Sequence, residues 1–196
     1  MKRFNGALLA AFVAVALYAT TTNANTINKM CSEKWGSNYE MVNYCTKNQR
    51  TAKRELSRYS GQIKQNCEAK WGSNYEMVLY CTKSQTAAKR SVNATNTDEV
   101  SLNCKNKWGN NYEMVEYCIK NQRQARSLVQ TTPKDEISRF CSQKWGQNYE
   151  MVDYCIKNQR SAKESIERNY SGTRRSRCER KWGINYEMVE YCIKNQ

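Results

Sequence analysis

A block running from Cys31 to Cys45, C-S-E-K-W-G-S-N-Y-E-M-V-N-Y-C, is written out four more times, as Cys67 to Cys81, Cys104 to Cys118, Cys141 to Cys155 and Cys178 to Cys192. The common pattern is C-x-x-K-W-G-x-N-Y-E-M-V-x-Y-C-x-K-x-Q, and successive copies start 36, 37, 37 and 37 residues apart. A period of that length is the mark of helix-pair repeats. All 10 Cys and all 5 Trp of the chain lie in these blocks, so any fold must be built from this one unit.

Each residue type in the block has a local physical reason. Ile27, Ile63, Val100 and Ile137 precede the first Cys of their copies by four residues, and the Trp follows it by four, a spacing that makes one helical stripe. In the fifth copy Arg174 stands at the aliphatic place, so that stripe is weaker. Gly36 and its equivalents come directly after the Trp, where a residue free to take positive φ ends a helix. Two residues later Asn38, Asn74, Asn111, Asn148 and Asn185 are placed to cap a second helix, with Glu40 and its equivalents in its positive first turn. The expected fold is therefore all-α: five tandem disulfide-stapled αα-hairpin repeats of about 37 residues. The staples are expected within repeats, Cys31 with Cys45, Cys67 with Cys81, Cys104 with Cys118, Cys141 with Cys155 and Cys178 with Cys192. Each closes a ring of about 15 residues, worth roughly 3 kcal/mol by the chain-entropy model. Tetratricopeptide repeats also keep a Trp, but their L-G-x2-Y continuation is absent, since Gly36 directly follows Trp35.

Residues 1–24 have the form of a secretory signal: Lys2 and Arg3, an apolar run from Ala7 to Ala19, then Thr22-Asn23-Ala24 with small residues at the inspected positions. The run is too short to span a bilayer, so no transmembrane span is expected once the signal is removed. The repeats then occupy 25–59, 60–96, 97–131, 132–170 and 171–196, the fifth without the linker that follows the others. A secreted or periplasmic location explains the even cysteine count, because disulfides persist in oxidising compartments. Helix starts inside the linkers are expected at Thr132-Pro133 and at Thr97. Outside the block the apolar residues are scattered, Leu56, Leu128 and Ile166 among them, which predicts loosely coupled hairpins more than a continuous solenoid.

Several kinds of chemistry are disfavoured. Metal sites use close C-x2-C knuckles and His, whereas here the spacing is C-x13-C and the chain has no His. No Ser-His or Cys-His pair is available for nucleophilic catalysis, and the recurrent Glu is explained by the helix dipole. No cofactor, no metal, no catalytic residue and no small-molecule substrate is expected, which leaves a binding or structural protein.

The formal charge is +14, of which +12 remains once Lys2 and Arg3 leave with the signal, and that exceeds what solubility needs. Lys47, Arg50 and Arg54, then Lys120, Arg123 and Arg126, then Lys157, Arg160 and Lys163 recur at spacings of three or four and predict a cationic face on the second helix. The tyrosines Tyr39 and Tyr44, with Tyr75, Tyr80, Tyr112, Tyr117, Tyr149, Tyr154, Tyr186 and Tyr191, are candidate stacking contacts, the alternative being that they belong to the hairpin core with Trp and Met. The expected function is a polyvalent basic module for an anionic polymer, whether polysaccharide, nucleic acid or lipid headgroup, or for another cell-surface partner. The alternatives are a membrane-active secreted toxin or antimicrobial, and, more remotely, an enzyme. A membrane-active helix needs a continuous apolar face beside its basic one, and Thr46, Asn48 and Gln49 interrupt it here.

Overall fold

The computed structural model describes residues 26–195; the expected signal segment lies outside them. All regular structure among the described residues is helical, short and long helices alternating as far as α8, with α10 cut to 9 residues: α1 (residues 26–35), α2 (Tyr39–Leu56), α3 (Gln62–Trp71), α4 (Tyr75–Ala94), α5 (Glu99–Trp108), α6 (Tyr112–Thr131), α7 (Glu136–Trp145), α8 (Tyr149–Asn169), α9 (Gly172–Trp182) and α10 (Tyr186–Lys194). Each short helix and the long one after it form a hairpin. The chain divides into two compact units, the first ending at Arg90 and the second starting at Ser91.

The bend forms where the block predicts it. Each short helix stops at its Trp because the following Gly takes a left-handed φ, between 52° and 56° at Gly36, Gly72, Gly109, Gly146 and Gly183. The long helix restarts at once, its first turn closed by a side chain: the Asn Oδ1 accepts from the backbone N–H of Met41, Met77, Met114 and Met151. The five disulfides join the two legs within each hairpin, with Cα–Cα distances of 5.7 or 5.8 Å.

On the long helices the buried face repeats at three- and four-residue steps. In the fourth repeat it runs Val152, Cys155, Ile156, Gln159, Ala162 and Ile166. Ile27, Val100 and Ile137 are buried on the short helices, as their stripe predicts, and the Trp rings are half-buried against the same clusters. A fully buried Val or Ile contributes about 1.5–3 kcal/mol, so each staple weighs about as much as one or two of a hairpin's core residues.

Two expectations need correction. Within each unit the hairpins are not loosely coupled, because the end of each long helix completes the core of the next repeat. Leu56 packs with Cys67 and Val78, Val129 with Ile137 and Val152, and Ile166 with Cys178 and Val189. Leu128, by contrast, is exposed, and its neighbour Val129 takes the inward place. What looks scattered in the linker is one residue per repeat, eleven after the second Cys, on the same helix face as the core. The helix starts also move. α7 is capped by Asp135 and α5 by Asp98, not by Thr132 and Thr97. The carboxylates accept from the N–H of Ser138 and Ser101, both at 2.9 Å, while the Thr132 hydroxyl donates back to Leu128 O in the last turn of α6. A carboxylate at a helix N-terminus gains dipole stabilisation that a threonine hydroxyl lacks.

Candidate binding surface

The residues that sequence reasoning grouped as one cationic face have separate jobs. Arg123 donates to Asp98 Oδ1 at 3.0 Å and to the carbonyl of Asn96, and Arg160 reaches Asp135 Oδ2 at 2.8 Å. Both tie a long helix to the start of the short helix in its own repeat. The Arg123 hydrogen bond, with the backbone N–H of Ser101, pulls the Asp98 carboxyl down to about 2. The N–H of Ser138, then Arg160, holds Asp135 below the usual carboxylate range. Arg50 finds the Asn28 Oδ1 at 3.3 Å, and Arg54 reaches the nearby Thr51 hydroxyl one turn back.

Three residues further along, the cation serves the next repeat. Lys53 lies 4.9 Å above the ring of Tyr75, Arg126 5.6 Å above Tyr149 and Lys163 5.2 Å above Tyr186. Each contact covers the first tyrosine of the following block, which is half-buried against the preceding repeat. Tyr186 OH donates to Glu136 Oε1 at 2.7 Å, and Lys163 pairs with the same oxygen at 3.5 Å. That hydrogen bond, then the Lys163 charge, holds Glu136 below its ordinary value; burial and the Glu136 contact push the Tyr186 phenol up.

A glutamine completes this joint. Gln159 is fully buried, and its Nε2 donates to Asn185 Oδ1 and Glu187 Oε2 while its Oε1 accepts from the N–H of Glu187. Gln49 grips Asn74 and Glu76 in the same way, and Gln122 grips Asn148 and Glu150. The Glu therefore does more than face the helix dipole, and the last letter of the repeated pattern is an inter-repeat clamp. Sequence reasoning did not assign it, although a Gln at the same place in every copy is visible in the pattern.

The tyrosines thus divide by position. The first of each block, Tyr75, Tyr149 and Tyr186, is wedged between repeats; Tyr112 is also half-buried, while Tyr39 is 78% exposed. The second, Tyr44, Tyr80, Tyr117, Tyr154 and Tyr191, is 60 to 66% exposed in every repeat. Three residues after each exposed tyrosine, on the same helix face, comes an exposed lysine: Lys47, Lys83, Lys120, Lys157 and Lys194. Lys47 and Lys120 have no ion-pair partner among the described residues; Lys157 and Lys194 pair with Asp153 and Glu190 one turn back, and Lys83 with Glu55 at 2.6 Å. Exposed pairs of this kind are weak and leave the ammonium accessible. Lys83 and Lys194 escaped sequence reasoning, which followed runs of cations instead of the lysine that comes two residues after the second Cys in every copy.

A second recurrent cation precedes each Trp. Lys34, Lys70, Lys107, Lys144 and Lys181 are exposed, with Nζ 5.2 to 5.5 Å from the adjoining indole. In the third repeat Lys107, Trp108, Met114 and Tyr117 line a groove of about 340 Å³ that reaches Gln147 and Glu150 of the next block.

All ten cysteines are in disulfides, and among the described residues there is no Cys, Asp and Glu grouping able to hold a metal ion and no helix long and apolar enough to cross a membrane. Comparison with protein-family models, with curated proteins and with solved structures finds no match to this chain.

Proposed function

We propose that this is an exported, polyvalent binding protein that holds an anionic polymer through one exposed Tyr–Lys pair per repeat. The observation that carries the reading is the recurrence of that pair, Tyr44 with Lys47 through Tyr191 with Lys194, on one helix face while the other recurrent cations of the long helix turn to structural partners. A surplus of +12, the +14 of the full sequence less Lys2 and Arg3 of the leader, supplies the long-range attraction. Linked weak sites gain avidity through effective concentration, so no single repeat needs a strong site. Export is supported by the signal-like leader and by five disulfides, which are compatible with an oxidising environment.

The test replaces Lys47, Lys83, Lys120, Lys157 and Lys194 by Gln, singly and together, in the disulfide-bonded chain. Fragments of one repeat are unsuitable, because neighbours share cores. Binding to DNA, an acidic polysaccharide and anionic vesicles is followed over a salt series. Affinity should fall steeply with salt, and for duplex DNA each lysine removed should lower the slope by about 0.9. If none of the three ligands binds, or the fivefold variant binds as well as the native chain, a structural or protein-partner role replaces this reading.

A further inference from the structure

The residue before the first Cys differs between repeats: Met30, Asn66, Asn103, Phe140 and Arg177. In the fourth repeat Phe140 packs beside Trp145 against the core. In the third repeat the same place holds Asn103, whose Nδ2 donates to Gln147 Oε1 at 2.6 Å, and the space beside Trp108 stays open as the groove of about 340 Å³. That volume is near the lower end for small-ligand sites, roughly 300–1,000 Å³, and suits one or two rings.

We infer that this groove binds a sugar ring of an acidic polysaccharide, an assignment that rests on the polymer-binding reading above and names its ligand class. Trp108 and Met114 give an apolar floor and the exposed Tyr117 a wall, matched to the C–H face of a pyranose. The amides of Asn103 and Gln147 stand where ring hydroxyls need donors and acceptors. Lys107 at the rim pairs with a sugar carboxylate. Glu150 favours a hydroxyl-rich ligand. Its Oε2 accepts from Gln122 at 2.7 Å, and its carboxylate lines the groove, where it accepts from sugar hydroxyls that a DNA strand does not offer, while the acid group of the ligand is held to the Lys107 side.

The experiment is calorimetric titration of the whole disulfide-bonded chain with a hexamer of galacturonic acid, its carboxyl-reduced neutral counterpart and hexathymidylate. Asn103→Phe installs the residue that the fourth repeat carries at this place and should weaken hexagalacturonate binding by about tenfold or more. Lys107→Gln, an exposed change that leaves the core untouched, should weaken the acidic hexamer severalfold and spare the neutral one; it decides the matter if Asn103→Phe fails to fold. Lys34→Gln, the same position in the first repeat, should change neither. Unchanged hexagalacturonate binding in both groove variants overturns the assignment, and so does tighter, groove-dependent binding of hexathymidylate. The two readings fail separately: long polymers that bind through the Tyr–Lys pairs with no effect of the groove variants sink only the groove. A hexamer that binds in the groove while no long polymer responds to the paired lysines sinks only the polyvalent reading.

Discussion

Helices α7 and α9 fill the same place in adjoining repeats of the second unit, and different forces hold them. α7 carries its own instructions: Asp135 caps it, Ile137 and Cys141 are buried, and Arg160 ties the cap to α8 at 2.8 Å. α9 has almost none. Ser171 makes no side-chain cap, and exposed Arg174 replaces the aliphatic residue. Its core is supplied from outside, by Ile166 at the end of α8, by Tyr170 in the linker and by the Cys178–Cys192 staple. Arg175 adds a bond to Glu179 at 2.7 Å and to the Tyr170 carbonyl at 3.2 Å. A repeat tolerates poor local coding when the staple and the preceding helix provide what its sequence omits.

The largest test of that contrast removes the staples. Opening either ring should cost roughly 3 kcal/mol by the chain-entropy model. Cys178→Ser with Cys192→Ser should abolish amide protection throughout α9, whereas Cys141→Ser with Cys155→Ser should lower protection of α7 without melting it. Equal loss of the two helices in hydrogen exchange would mean that local capping counts for little beside the disulfide.

An intermediate effect comes from acid. The Asp135 carboxyl lies below its ordinary value in the folded chain, and Asp98 at about 2 does the same for α5. A depressed folded value means that the stabilisation is complete above the unfolded value of about 4 and is lost as pH falls through the folded one. The thermal midpoint should therefore drop between about pH 4 and 2, and Asp98→Asn with Asp135→Asn should flatten the part due to the caps. A variant as acid-sensitive as the native chain would assign that loss elsewhere.

The smallest effect repairs α9. Ser171→Asp places a carboxylate at its positive end and should gain about 0.3–1 kcal/mol, read as slower exchange in the first turn. No change there would show that the backbone at Ser171 cannot direct a side chain onto the helix, whichever residue it bears.

What was legible in the sequence was whatever closes within one block. The Gly after the Trp, the Asn cap and the cysteine pairing all act over 14 residues or fewer, and so the hairpin follows from residue types and spacing alone. The candidate surface was half legible. That cations and tyrosines recur is plain in the chain, yet the reading of Arg123, Arg126, Arg160 and Lys163 as one free face had no access to their partners.

Those partners lie 23 to 28 residues away, and the glutamine clamps reach 25 to 28. The tertiary structure decides such pairs, because they exist only once a second helix has settled against its own short helix and one repeat against the next. Tyr149 and Tyr154 are alike in type and stand in the same copy of the block, but one meets the preceding repeat and the other meets water. By itself the sequence determined a stapled hairpin repeated five times, since every bond that makes it is local. Which identical side chains become joints and which remain as surface was settled by packing between repeats, since burial depends on what the neighbouring helix covers.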